Sequence, residues 1–376
     1  MSLTKVPGPF RARKGPASLV VTAGTKAIAY TPTFAYVADF SGGVPTLSVN
    51  ASSGALTTIT GSPFGSGTDP RQVVVTPNGK FAYSADSSFD SVAGYTVNAT
   101  TGALTAIAGS PFAVGDAPYS LAVDQSSQFL HVANINSSSI SAFKINATSG
   151  VLTKISGSPY TGIEAPDWVT VDPRGRFLLV GNDCCLGSTP PPGISVLTIN
   201  PKIGALKLVK ESPFEVPNGV GNPSSLTVDP TGKFVYSANG SSSDPGGAVA
   251  YSITASTGAL KLLGAAVPGG SAPWGITTDT AGKYVYMTNN DTTISGYSID
   301  PTTGGLTKLA GSPFAASVST RGIVTDPSGK FLYLSNGSQI LGYSINADTG
   351  AITPLATSPY SGGGDPLDLT VIGTVQ

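Results

Sequence analysis

Apolar residues along this chain come in short bursts, each closed by a turn rich in Gly, Pro, Asn and Asp. The copy between Pro223 and Asn239 shows the pattern well. Leu226 to Val228 form an apolar run, Asp229-Pro230-Thr231-Gly232 form a turn, and Lys233 to Ala238 carry Phe234 and Tyr236 at alternate positions before Asn239. Pro at the second turn position pre-sets φ and Gly supplies the positive φ, so the segment predicts a hairpin. Asn suits the strand end because its side chain can bond the backbone of the turn that follows. A third strand is expected from Ala248 to Ile253 and a fourth from Ala259 to Leu263. Together they make a four-stranded antiparallel meander.

The meander recurs. Similar turns stand at Thr76-Pro77-Asn78-Gly79, Asp172-Pro173-Arg174-Gly175, Asp279-Thr280-Ala281-Gly282 and Asp326-Pro327-Ser328-Gly329. The clearest marker is a Gly, a small residue and an aliphatic ahead of each fourth strand, at Gly54, Gly102, Gly150, Gly204, Gly258, Gly304 and Gly350. Successive markers lie 48, 48, 54, 54, 46 and 46 residues apart, a period typical of units that bury their faces only by stacking on neighbours. Seven four-stranded units predict an all-β fold, a seven-bladed β-propeller. The chain opens in mid-repeat, with Phe34 to Asp39 reading as a second strand. It closes on Asp365 to Val371, which reads as a first strand. The C-terminal strand should therefore join the first blade and close the ring, in preference to the rival Ala27-Ile28-Ala29-Tyr30. Residues 27–376 are expected to form one propeller domain after a partly irregular extension over 1–26, with helix close to absent.

A second phrase, Ser-Pro followed by Phe or Tyr, ends at Phe64, Phe112, Tyr160, Phe214, Phe314 and Tyr360. Such a row of rings resembles a stacking platform for sugars, but its regularity favours an aromatic wedged between adjacent blades.

Composition narrows the function classes. Charged residues make up 11% of the chain and the net charge is −1, so binding of nucleic acid or an anionic membrane through charge has no support. Residues 1–26 carry only the short apolar run Leu19-Val20-Val21, too little for a span or a signal core, and no membrane insertion is expected. The wealth of Ser, Thr, Asn and Gly points to a secreted or periplasmic protein whose signal segment has been removed. Cys184 and Cys185 are neighbours, which disfavours a disulfide, and no metal-ligand spacing accompanies them. No metal or other cofactor is expected, and a monomer is.

The alternation of Asp-Pro-x-Gly-Lys-Phe-x-Tyr-x-x-Asn with x-Gly-Ala-Leu resembles the seven-bladed lactonase family, which includes propeller-type 6-phosphogluconolactonase and carboxymuconate cyclase. It is also similar to bacterial surface propellers named for a Tyr-Val-Thr-Asn repeat, nearly copied at Tyr286-Met287-Thr288-Asn289. The resemblance covers roughly residues 30–376. It implies an Arg and a His at the start of an inner strand, with an acidic residue just after a second strand. The Arg would hold an anionic substrate while the His and the acid move protons. Arg71 and Arg321 fill the Arg position. The His position holds Gln72, Ser120, Trp168, Ser225, Gly275, Gly322 or Asp368, and never His. Asp183, after Asn182, is the candidate base. The one histidine, His131, replaces a second-strand Tyr and reads as a packing residue.

The inner-strand starts and the loops between second and third strands should border the channel mouth. There the repeats stop agreeing with one another, as expected of a surface adapted to a ligand. Both tryptophans, Trp168 and Trp274, fall in this register. Arg71, Arg321, Trp168, Trp274, Asp167 and Tyr119 are the candidate binding residues for a small molecule, a glycan or a protein. With the family's His unmatched, a non-catalytic binding propeller is the favoured reading. A lactone hydrolase or cyclase with diverged acid and base groups is the alternative.

Overall fold

Each sequence repeat folds into one antiparallel sheet, and seven sheets close into a ring. The computed structural model describes residues 30–65, 69–182, 193–217, 220–241 and 244–375. The extension over 1–26, most of the rival first strand, Asp183 and both cysteines lie outside the described residues.

The fifth blade illustrates the unit. Asn222–Val228 is innermost, followed outward by Phe234–Ser241, Asp244–Ile253 and Leu260–Leu262. In five blades a short further segment, such as Phe112–Ala113 or Phe214–Glu215, pairs with the third strand beside the outer one. These segments contain the aromatic of the Ser-Pro phrase or its counterpart, where the sequence pattern predicts no strand. Among the described residues the one helical element is a single 3-10 turn at Ser87–Phe89. The first blade is completed by the C-terminal strand Pro366–Val375, which pairs with Tyr30–Asp39. That closure removes the unpaired edges an open ring would expose.

The cores lie between blades rather than within them. Along the second strand of blade 1, Phe34, Tyr36 and Ala38 pack toward blade 2 while Ala35 and Val37 pack toward blade 7. This is the two-residue period of a strand buried on both faces. Seven such clusters bridge the seven pairs of neighbouring blades. The Ser-Pro aromatics belong to them, with Phe112 between blades 2 and 3 and Tyr160 between blades 3 and 4. The serine of each phrase accepts a third-strand N–H, as Ser110 does from Gly94 at 2.9 Å.

The Gly marker is part of these seams. Gly54 has φ +72° and lies so close to Phe331 of blade 7 that a Cβ would come within 2.5 Å of the ring. Its carbonyl accepts the Tyr333 hydroxyl at 2.7 Å. The same bond joins Tyr36 to Gly102, Tyr83 to Gly150, Tyr236 to Gly304 and Tyr286 to Gly350. Each second-strand tyrosine thus latches its blade to the marker glycine of the next. Two seams lack the tyrosine. Leu179 replaces it in blade 4, where Arg176 reaches across instead to the carbonyls of Ala255 and Gly232. His131 replaces it in blade 3, fully buried, with no hydrogen-bond partner on either ring nitrogen among the described residues.

Candidate functional site

The seven inner strands begin at the channel mouth, and two adjacent register positions from most of them line one cavity of about 150 Å³. Arg71 and Gln72 come from blade 2, Tyr119 from blade 3, Trp168 from blade 4, Ser224 and Ser225 from blade 5, and Trp274 and Gly275 from blade 6. Arg321 and Gly322 from blade 7, with Leu367 and Asp368 from the closing strand, complete the wall. Strand pairing within each blade and the seams between blades set this convergence. Residues distant in sequence therefore meet on a rigid frame.

Both arginines rest on aromatic rings. The Arg71 guanidinium carbon lies 4.8 Å from the centre of the Phe40 ring and 5.2 Å from that of Tyr119. Its Nε sits 3.0 Å from Asp69 Oδ1, an ion pair without the alignment of a hydrogen bond. Arg321 lies 5.8 Å from the centre of the Trp274 ring and forms no ion pair among the described residues. Stacking of this kind holds a guanidinium plane in place while leaving its edge N–H groups for a partner. Trp274 is 42% exposed. Trp168 is half-buried, and its indole N–H donates to the Leu226 carbonyl of blade 5 at 3.1 Å.

Asp368 is the acid of this cavity. Gln72 Oε1 accepts the Ser120 hydroxyl at 2.9 Å and the Leu121 N–H at 2.6 Å, which leaves the Gln72 amide N–H groups for the Asp368 carboxylate. The Leu369 backbone N–H also supports the carboxylate. Burial outweighs both hydrogen bonds and pushes the Asp368 pKa up to about 7. The carboxylate lies against Gly322, where any Cβ would stand 2.8 Å from Asp368 Oδ1. The missing side chain in blade 7 thus makes room for the acid of blade 1.

Of the sequence-predicted site residues, Arg71, Arg321, Trp168, Trp274 and Tyr119 line this cavity. Asp167 lines a second cavity next to it, with Asn222, Asn290 and Thr320. Asp183 lies outside the described residues. His131 sits in a blade seam, and its burial lowers its pKa to about 4. Register counting places Asp368 at the channel mouth but assigns it no chemistry, and it gives no role to Gln72 or Thr320. Asp368 carries one readable signal, an acid in a register where the other blades hold Ser, Gly, Gln or Trp. Among the described residues no group of three or more His, Cys, Asp or Glu is placed to hold a metal.

The fold and site define a closed seven-bladed propeller with an arginine-flanked cavity at its channel mouth. The family described as "Lactonase, 7-bladed beta-propeller" matches residues 19–171 and 183–292, more than half of the sequence. The chain belongs to that seven-bladed β-propeller lactonase family. No curated protein matches it. Among solved structures, a putative 6-phosphogluconolactonase from Bacteroides fragilis is 21% identical, with a TM-score of 0.74 over 91% of this chain and 98% of that one. The Pseudomonas aeruginosa periplasmic gluconolactonase PpgL is 17% identical, with a TM-score of 0.73 over 90% and 99%. At these identities the likeness establishes a shared fold.

Proposed function

We propose that the channel mouth binds a small organic anion, with its carboxylate or phosphate taken by Arg71 and Arg321. The observation that supports this reading is the convergence of two guanidiniums, each stacked on aromatic rings, on one cavity. Arg is suited to the task because its planar fork of donors matches the oxygens of a carboxylate or phosphate. Isothermal titration with gluconate tests it, with glucose as the neutral control. Gluconate should bind and glucose should not, and Arg71→Gln and Arg321→Gln should each lose at least tenfold in affinity. Equal affinity in wild type and both variants would overturn the reading.

A second reading, lactone hydrolysis, is favoured by Asp368 together with the family. A carboxylate with a pKa of about 7 is matched to a general base acting on water near neutral pH. It occupies the register in which the resemblance expects a His. In this reading the arginines hold the substrate anion, and the ionised Asp368 takes a proton from the attacking water. The two readings differ in sign with pH. Ligand anion and Asp368 carboxylate repel, so binding should weaken as pH rises through 7, whereas hydrolysis needs the ionised acid and should speed up over the same range. Turnover of a sugar lactone no faster than in buffer, with gluconate still binding, would leave the propeller a binding module.

A further inference from the structure

The first cavity alone, at about 150 Å³, falls below the roughly 300–1,000 Å³ usual for small-molecule sites. The second cavity, of about 440 Å³, shares Ser224, Trp274 and Arg321 with it. The two therefore adjoin across Ser224, Trp274 and Arg321, and a ligand filling both must be larger than a single small acid.

The walls of the second cavity state the chemistry of the part that lies there. Asp167 supplies a carboxylate, Asn222 and Asn290 amides, and Thr320 a hydroxyl, all beside the half-exposed Trp274 ring. Such a wall mixes donors and acceptors around an aromatic platform. It suits hydroxyl groups, each of which both donates and accepts, carried on a ring with an apolar face. Asp167 disfavours a second anion.

Thr320 provides an independent observation. Six of the seven inner-strand starts place Pro at this register, namely Pro70, Pro118, Pro166, Pro223, Pro273 and Pro366. Blade 7 alone has a hydroxyl there. The Thr320 side chain is 1% exposed, and its Oγ1 has no hydrogen-bond partner among the described residues, although the residue lines the cavity. A buried hydroxyl without a partner is unfavourable unless a ligand supplies one. This break in the repeat thus leaves an unpartnered hydroxyl in the wall of the cleft.

We propose that the cleft takes a two-unit saccharide acid. Its charged unit lies in the first cavity between Arg71 and Arg321. Its neutral, polyhydroxylated unit lies in the second, against Trp274 and within reach of the Thr320 hydroxyl. The proposal rests on the anion-binding reading above.

Titration calorimetry with gluconate and with cellobionate, which is gluconate bearing one further hexose, tests both together. Cellobionate should bind at least tenfold more tightly than gluconate to the wild-type protein. That ratio should fall below threefold in Thr320→Val and be retained in Thr320→Ser, with thermal unfolding confirming that each variant is folded. Gluconate binding with no advantage for cellobionate overturns the second unit and leaves the anion reading standing. An undiminished ratio in Thr320→Val overturns the role of the hydroxyl. If neither acid binds, the anion reading fails and this inference fails with it.

Discussion

Asp368 and His131 sit where burial opposes their charge, and their effects on stability run in opposite directions. Asp368 has its pKa raised to about 7 from an ordinary value of 3.8. Between these values the unfolded chain has released its proton and the folded chain has not, so folding stability falls as pH rises from about 4 to 7. Asp368→Asn should therefore be more stable than wild type at pH 7 to 8, by about 1–3 kcal/mol after allowing for solvent reaching the group through the cavity. Denaturant unfolding at pH 5 and pH 8 measures this, and an equal difference at both values would rule out burial of the carboxylate as its cause. A carboxylate kept at a cost to stability is what a site adapted to a ligand shows. His131 behaves oppositely. Its pKa is lowered to about 4 from 6.5, so its contribution is intact above pH 6.5 and is lost as pH falls toward 4. The full loss is on the order of 3 kcal/mol. Because it is the only histidine, His131→Phe should remove the loss of stability as pH falls from 6.5 to 4 and leave the opposite slope of the buried acids Asp368 and Asp86. A profile unchanged by the substitution would place the acid sensitivity elsewhere.

At the scale of the strand and its turn, the tyrosine-to-glycine latch explains why the marker phrase repeats so faithfully. Gly204, the counterpart in blade 4, lies against Phe129 of blade 3, the blade in which His131 stands where five other blades have Tyr. His131→Tyr should restore the bond and raise stability at neutral pH by about 1 kcal/mol, read as a shift in denaturation midpoint at constant slope. A loss instead would mean that the seam has closed around the smaller imidazole and leaves no room for the phenol. Gly204→Ala should be costly for two reasons. The residue has φ +69°, and its Cβ would stand 2.4 Å from the Phe129 ring. The left-handed backbone and the overpacked seam together should cost about 2–4 kcal/mol. The repeat was fully legible as a ruler in the sequence, but its reason was not. Reading Gly-Ala-Leu as the start of an outer strand says nothing about a ring and a hydroxyl arriving from the neighbouring blade. Similarly, the Ser-Pro aromatics were readable as wedges because they repeat. Their short pairing with the third strand was not, since two residues carry no alternation to detect.

At the scale of the whole ring, the site is a product of closure. Arg71, Trp274 and Arg321 come from three blades and Asp368 from the last strand of the chain, so no contiguous part of the molecule contains the cavity. This is also why the site was only partly legible. Register counting placed Arg71, Tyr119, Trp168, Trp274 and Arg321 at the channel mouth, because a position in one repeat predicts its position in the ring. It could not reveal that Gly322 vacates the space Asp368 fills, or that Gln72 turns its amide N–H toward that acid. Those facts depend on contacts between blades 7, 1 and 2, which no single repeat encodes. Closure also yields a whole-molecule prediction. Deleting residues 366–376 removes the inner strand of blade 1 and leaves Tyr30–Asp39 as an unpaired edge. It also strips Leu369 and Val371 from the core shared with blade 7. An open sheet edge beside an exposed apolar seam favours association with other chains. The truncated protein should therefore aggregate or lose cooperative unfolding. Supplying the missing strand as a synthetic peptide of residues 364–376 should restore a monomeric, cooperatively melting ring. The same peptide with Asp368→Asn should also restore the folded ring, more stably near neutral pH, but abolish the pH dependence of gluconate binding, separating the strand's role in closure from its role in the cavity. A truncated chain that stays monomeric and melts cooperatively without the peptide would show that the other six blades hold the ring unaided.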